Sequence, residues 1–189
     1  MTGHDDILAL IGDILERRGA ESYLGEPVTI SQHMYQTAAL ARSEGASDAL
    51  VAAALLHDIG HYTSEFGSYA PADKVDRHHD AAGAKVLEGF FPPLVTECVR
   101  LHVAAKRYLC GTDPTYYDRL SQPSQHSLSL QGGPMSDTEI DLFEQLDYHR
   151  EAVRVRLWDD GGKVAGAGTL SFDDFRPVLL RVVTRPDGR

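Results

Sequence analysis

The chain lacks the features that would place it in a membrane or outside the cell. No apolar run reaches the roughly 18–20 residues that a bilayer-spanning helix needs. The N-terminal segment has neither the basic start nor the apolar stretch of a secretion signal. The two cysteines, Cys98 and Cys110, are too few and too poorly spaced for a disulfide framework or a zinc knuckle. We therefore expect a cytoplasmic protein with reduced thiols and no membrane partner.

Basic charge is also scarce. Lys and Arg total 18 against 28 acidic residues, which gives a formal net charge of −10. A protein that binds a phosphate backbone needs a broad basic surface, so we expect no nucleic-acid partner. A local basic pocket remains compatible with this composition and would suit one small anion. The composition favours neither a monomer nor a homodimer over the other.

Strand signals are almost absent, whereas apolar residues recur at helical spacing. With 189 residues, the chain is long enough for one domain with a hydrophobic core. We predict an all-α bundle in a single domain, residues 1–189, with a loop at 62–76 and mainly turns at 111–134. The predicted helices cover 5–18, 31–43, 47–60, 79–90, 93–109, a short segment from 136, 151–159 and 171–183.

The adjacent pair His57-Asp58 directly follows the apolar stretch 49–56. A carboxylate at the wall of a core is costly unless a positive partner meets it, and a metal ion is such a partner. The pair therefore indicates a metal site rather than packing.

Further His and Asp residues on both sides of this pair extend the predicted site. Sets that are rich in histidine, contain carboxylates and lack thiolates suit iron, manganese, cobalt or zinc. A single zinc ion needs about four ligands, fewer than the chain offers, and one Asp between histidines can bridge two ions. Spacing alone does not decide between His78 and His79, or between Asp159 and Asp160. The candidate ligands of a two-metal site are His33, His57, Asp58, His79, His102 and Asp159.

Basic residues near these candidates indicate the charge of the substrate. Lys106 lies one helical turn after His102, and Arg156 lies three residues before Asp159. Cations that face a metal site suit an anionic group, for which phosphate or phosphonate is the natural choice. Spacing alone equally allows both residues to be ordinary solvated surface charges.

An aromatic residue and a carboxylate, Tyr23 and Glu26, lie on the short connection after the first predicted helix. Such a pair suits an ammonium group. Spacing alone favours the other interpretation, a surface turn with no functional role.

The ordered His and Asp residues resemble the ligand pattern of the HD-domain superfamily, which is named for its adjacent His-Asp pair. Most members are metal-dependent phosphohydrolases, often with four ligands. The larger set is more similar to the mixed-valent diiron oxygenase branch. That branch includes myo-inositol oxygenase and bacterial enzymes that cleave the C–P bond of 2-amino-1-hydroxyethylphosphonate or its trimethylammonium analogue. The resemblance covers about 20–165, leaving 166–189 as a C-terminal helix and tail, and is carried by 23–26, 55–61, 78–84, 101–109, 130–135 and 156–160.

The resemblance implies two iron ions in the Fe(II)/Fe(III) state, with dioxygen as co-substrate. It selects His79 over His78 and Asp159 over Asp160. The implied ligands are His33, His57, Asp58 and Asp159 for one iron, and Asp58, His79 and His102 for the other.

The implied substrate is a small 1-hydroxyphosphonate with an ammonium or trimethylammonium group, and the implied products are phosphate and glycine or glycine betaine. The residues that would take part in catalysis are Asp58, His61 and Lys106. Those that would contact the substrate are Tyr23, Glu26, His61, Lys106, Ser124 and Arg156.

Two other functions are compatible with a His-Asp pair of this kind. A metal-dependent phosphohydrolase acting on a phosphate ester would have a larger basic pocket and no sixth ligand, so Asp159 and the Tyr23/Glu26 pair argue against it. A catalytically idle metal-binding or signalling module would normally have lost ligands, and none is missing. The oxygenase is the function that we expect.

Overall fold

A computed structural model describes residues 3–18, 25–63 and 74–184 of the chain. These ranges are helical and contain no strand, which confirms the predicted all-α, single-domain fold. None of the helices in the described ranges combines the length and the apolar character that a bilayer crossing requires. The elements are α1 (Gly3–Asp13), a π-helix (Ile14–Arg18), α2 (Ile30–Ser43), α3 (Asp48–Leu56), α4 (Gly60–Thr63), α5 (His79–Leu87), α6 (Pro93–Thr112), α7 (Tyr116–Arg119), α8 (Gln122–Leu130), α9 (Asp137–Phe143), α10 (His149–Gly161), a 3-10 helix (Phe172–Asp174) and α11 (Arg176–Val182).

Helix α3 occupies the centre of the bundle because it is almost entirely apolar. Every residue from Leu50 to Leu56 is buried. The helix packs against α2, α6, α10 and α11, so neighbouring helices cover several of its sides. Ser47 caps its start by accepting a hydrogen bond from the backbone N–H of Leu50. The chain therefore leaves α3 inside the core, where the pair His57-Asp58 follows.

Helices α6 and α10 form the other wall of the site. They pack against each other, while α6 also contacts α5 and α10 also contacts α2. Helix α6 begins at Pro93, a position where the missing N–H of proline costs no hydrogen bond. Its buried face includes Val95, Val99 and Leu101 in addition to polar residues near its middle. These contacts place the middle of α6 opposite the end of α3.

Two of the differences between the structure and the sequence-based prediction lie near the site. The third predicted helix reaches residue 60, whereas α3 ends at Leu56 and residues 57–59 form a turn. The region 111–134, predicted to contain mainly turns, includes α7 and α8. Helix α8 is polar, but Ser121 caps it and Pro123 lies in its first turn, where proline is tolerated. Most of the predicted loop after the His-Asp pair, residues 64–73, lies outside the described residues.

Two glycines permit the close backbone contacts that assemble the site. A Cβ atom at Gly60 would lie 1.8 Å from the carbonyl oxygen of His79. One at Gly162 would lie 2.4 Å from Oγ1 of Thr37 and 3.2 Å from the carbonyl oxygen of His33. The first contact brings the turn after α3 onto α5, and the second brings the end of α10 onto α2.

Candidate metal centre and anion pocket

The candidate metal ligands come from five segments of the chain and meet at one buried place. They lie on α2, in the turn after α3, at the start of α5, in the middle of α6 and near the end of α10. The most accessible of them, His79, is only 7% exposed. The side chains that the structure brings together are His33, His57, Asp58, His79, His102 and Asp159.

Asp58 lies between two pairs of histidines. Its Oδ2 atom is 3.6 Å from Nε2 of His33 and 3.4 Å from Nε2 of His57. Its Oδ1 atom is 3.5 Å from Nε2 of both His79 and His102. A carboxylate in this position can offer one oxygen to each of two metal ions.

Asp159 lies beside the first pair. Its Oδ1 atom is 3.3 Å from Nε2 of His33, and its Oδ2 atom is 3.9 Å from Nε2 of His57. Asp160, the alternative that spacing left open, pairs instead with Arg156. We call His33, His57 and Asp159 the inner group and His79 and His102 the outer group; Asp58 belongs to both.

The hydrogen bonds of the inner histidines fit a bound cation. Nδ1 of His33 donates to the carbonyl oxygen of Gly162, and Nδ1 of His57 donates to that of Ala54, both over 2.9 Å. When both rings are neutral, the lone pairs of the two Nε2 atoms face each other across 3.1 Å. Two nitrogen ligands at about 2.1 Å from one ion, at right angles, are roughly 3 Å apart. With two carboxylates facing the same point, a divalent metal ion suits this place better than a shared proton does.

The outer group has a similar arrangement. Nδ1 of His102 donates to the carbonyl oxygen of Val99 over 2.7 Å, and its Nε2 atom lies 3.1 Å from Nε2 of His79. Burial, followed by the charge of His61, lowers the pKa of His79 to about 3, so its ring is neutral near pH 7, which is the form of imidazole that can bind a metal ion. His61 itself stacks on His79 and its Nε2 atom is 3.8 Å from Oδ1 of Asp58. Because His102 lies closer to Asp58, we assign His102 rather than His61 to this group.

Both carboxylates are ionised, as metal ligands must be. Burial alone would raise the pKa of Asp58, but His57 and His61 outweigh burial and hold this pKa well below its usual value. Burial is likewise outweighed at Asp159, whose pKa is held low mainly by the charge of Arg156.

A cavity lies beside the outer group, with about 440 Å³ of empty space that includes part of the open solvent at its mouth. Its wall includes both outer histidines, Asp58 and Asp159, but neither His33 nor His57. Three cations in one small cavity favour an anionic ligand. These cations are Lys106, Arg156 and Lys163.

Arg156 is held by three neighbours. Its Nε donates to the hydroxyl of Tyr116 over 3.1 Å, its Nη1 donates to Oδ2 of Asp159 over 2.5 Å, and its Nη2 donates to Asp160. Although burial opposes the charge, the two carboxylates hold the pKa of Arg156 well above its usual value. Arg156 therefore connects the candidate metal ligand Asp159 to the cavity.

Lys106 has a different environment. Its Nζ donates to Oγ of Ser127 over 2.7 Å, and within the described residues it has no carboxylate at ion-pair distance. Burial, followed by the charge of Arg156, lowers the pKa of Lys106 to about 7. An anion in the cavity would restore the charge balance of this lysine.

Two other predicted substrate contacts, Ser124 and Glu26, also line the cavity, whereas Tyr23 lies outside the described residues. Lys163 is absent from the sequence-based prediction. Its Nζ donates to Oγ of Ser124 over 3.0 Å and lies 3.5 Å from Oε1 of Glu26. The available signal was its position four residues after Asp159, which is the spacing of one helical turn.

Comparison with known proteins agrees with this geometry. The HD-domain family model matches residues 30–156. The chain is 50% identical over 183 residues to the glycine-betaine-forming 1-hydroxy-2-(trimethylamino)ethylphosphonate dioxygenase of Leisingera caerulea, covering 97% of this chain and 93% of the relative. It is 46% identical over 147 residues to the hydroxymethylphosphonate dioxygenase of Gimesia maris, covering 77% and 73%. An uncharacterized protein of Acanthamoeba polyphaga mimivirus is 29% identical over 178 residues, covering 91% and 80%. The two named enzymes and the buried His and Asp cluster support an enzyme with a metal site.

Proposed function

Because the chain belongs to the HD-domain family, we propose that it is a diiron dioxygenase that cleaves the C–P bond of a 1-hydroxyphosphonate. The substrate is a 1-hydroxy-2-(ammonio)ethylphosphonate or its trimethylated form, and the products are phosphate and glycine or glycine betaine. One oxygen atom of dioxygen enters the new carboxylate and the other enters phosphate, so the reaction balances. The observation that carries the proposal is the position of Asp58 between two pairs of histidines, beside a cavity lined by cations.

The donor set of four imidazoles and two carboxylates suits iron. One ion would be held by the inner group and the other by the outer group, with Asp58 shared. When bound, the Fe(II)/Fe(III) pair supplies one-electron chemistry and the activation of dioxygen.

Lys106 and Arg156 bind the phosphonate in this proposal. Arg156 has five N–H groups, three of which are used by Tyr116 and the two carboxylates, so donors remain for a ligand. Lys106 adds a second cation, which donates to the hydroxyl of Ser127 and not to a carboxylate. Ser124 supplies a hydroxyl in the same cavity. These contacts fix the orientation of the carbon that reacts.

His61 is assigned to the substrate's C1 hydroxyl. It lines the cavity next to Asp58 and is buried, with 3% of its surface exposed. Burial lowers the pKa of His61, so its imidazole is neutral near pH 7 and can accept a proton from that hydroxyl.

The test is anaerobic loading of the protein with iron, followed by oxygen-uptake and phosphate-release assays. The substrates are 2-amino-1-hydroxyethylphosphonate, its trimethylammonium analogue and hydroxymethylphosphonate. We expect one phosphate for each dioxygen consumed, and no turnover of 2-aminoethylphosphonate, which lacks the C1 hydroxyl. Release of phosphate from simple phosphate esters without oxygen uptake would identify a hydrolase instead.

A further inference from the structure

Glu26 and Lys163 form an ion pair in the wall of the cavity. Nζ of Lys163 lies 3.5 Å from Oε1 of Glu26, and the two side chains are only 10% and 7% exposed. Since water hardly reaches them, their attraction is weakly screened. Glu26 also accepts a hydrogen bond from Ser121, and Lys163 donates one to Ser124. Both side chains are thus held in place.

The remaining cations of the cavity divide into two kinds. Arg156 is paired with Asp159 and Asp160, whereas Lys106 donates to a neutral hydroxyl. Lys106 therefore contributes net positive charge to an incoming phosphonate. The Glu26–Lys163 pair contributes almost none, although Glu26 by itself would attract a cationic group.

Resting on the proposed function, we propose that Lys163 selects the group on the second carbon of the substrate by neutralising Glu26. An ammonium group that approaches Glu26 meets a carboxylate whose charge Lys163 already neutralises, so it gains less from this contact unless it replaces Lys163. A phosphonate without an ammonium group leaves the pair intact. Lys163 is thus a specificity-determining residue that acts through Glu26 and reduces the advantage of cationic over neutral substrates.

If the ammonium group of the substrate competes with Lys163 for Glu26, substitutions of Lys163 and Glu26 should have opposite effects on substrate preference. Lys163→Met leaves Glu26 without its cation, so preference for an ammonium-bearing ligand rises by about tenfold. Glu26→Gln leaves Lys163 without its carboxylate, so the same preference falls by about tenfold. In the double variant the two changes largely cancel. Lys163→Arg preserves the charge and serves as the matched control.

The preference is measured with two ligands that cannot turn over because they lack the C1 hydroxyl. 2-Aminoethylphosphonate and propylphosphonate have similar size and differ in an ammonium or a methyl group. Calorimetry on the iron-loaded protein without oxygen gives the ratio of their Kd values. The kcat/KM ratio for 2-amino-1-hydroxyethylphosphonate and hydroxymethylphosphonate supplies a second readout. Iron content is determined for every variant, since Lys163 also lies 3.7 Å from Oδ1 of Asp159.

A ratio that moves in opposite directions in the two single variants supports the role of Lys163. A ratio that stays constant, or moves the same way in both, overturns it. Glu26→Gln keeps the test decisive if Lys163→Met loses iron. Failure of all hydroxyphosphonates to support oxygen uptake would overturn the proposed function, whereas intact uptake with an unchanged ratio would overturn only the role of Lys163.

Discussion

The inner group of candidate metal ligands is held more firmly than the outer group. Both inner histidines donate Nδ1 to backbone carbonyl oxygens, and the inner carboxylate is tied to Arg156. In the outer group His102 has such a bond, but within the described residues Nδ1 of His79 is buried without a hydrogen-bond partner. Helix α5 also follows a residue in the left-handed region, His78, with φ of 51°. Both outer histidines face the cavity, whereas His33 and His57 do not.

The two groups therefore differ in function: the inner group is built to retain a metal ion, and the outer group leaves its ion accessible from the cavity. Hydrogen bonds to the second ring nitrogen orient a histidine and increase the affinity of a metal site. We therefore expect the inner ion to bind more tightly and the outer ion to lie where substrate arrives. Substitutions that alter one group more than the other test this difference.

Replacement of Asp58, which belongs to both groups, should affect the inner and the outer ion alike. Asp58→Ala should abolish binding of both ions, because the outer histidines lose their carboxylate and the inner group keeps only Asp159. Metal content per chain is the measurement. Asp160→Ala, which changes a carboxylate that faces Arg156, should retain both ions. Two ions per chain in the Asp58 variant would show that the bridging assignment is wrong.

The two glycine contacts allow each group to be perturbed separately. Gly60→Ala pushes a Cβ into the backbone of His79 and should release the outer ion first, whereas Gly162→Ala presses on α2 beside His33 and should weaken the inner ion. We expect each to cost about 3 kcal/mol of unfolding free energy. Thermal unfolding and metal content measure these effects. In Gly161→Ala the added atom meets only the end of a side chain, so equal losses in all three variants would contradict this explanation.

Removal of a pocket cation should affect the substrate rather than the metals. Lys106→Ala should leave both ions bound and raise KM by about tenfold to a hundredfold, as expected for loss of a charge-assisted contact. Steady-state oxygen uptake and metal analysis measure the two effects. Loss of iron in this variant would show that Lys106 supports the metal site and does not only bind the anion in the cavity.

The same lysine predicts a pH dependence. Its pKa in the free protein is about 7, and a bound anion raises that pKa, so binding is favoured when Lys106 is protonated. The ratio kcat/KM should therefore decline as pH rises through about 7. Lys106→Arg keeps its charge and should lose this decline, which also controls for ionisation of the substrate. The same decline in both proteins would assign it to another group.

The smallest effect concerns the backbone before α5. His78 is a non-glycine residue with positive φ and an exposed side chain, so His78→Gly should stabilise the protein by up to about 1 kcal/mol, or roughly 2–4 °C in Tm. His78→Ala retains the strained backbone and is the comparison. Greater stability of the alanine variant would contradict the assignment of strain.

The buried position of His57-Asp58 is predictable from sequence because the apolar helix runs directly into this pair, with no polar residue between them. The choice between Asp159 and Asp160 is not, since consecutive residues on a helix point about 100° apart and packing decides which one meets the histidines. Helix α8 escapes prediction because its Ser, Gln and Pro residues resemble a turn, although Ser121 and Pro123 serve as its start. Lys163 escapes because it follows the end of α10, where helical spacing carries less weight.

The stoichiometry and magnetic coupling of bound iron decide whether the protein has a two-metal centre. Protein loaded with iron under anaerobic conditions and then partly oxidised should hold two iron ions per chain, and their spins should be magnetically coupled through the shared carboxylate of Asp58. A single iron ion per chain, or two ions without magnetic coupling, would contradict the two-metal centre.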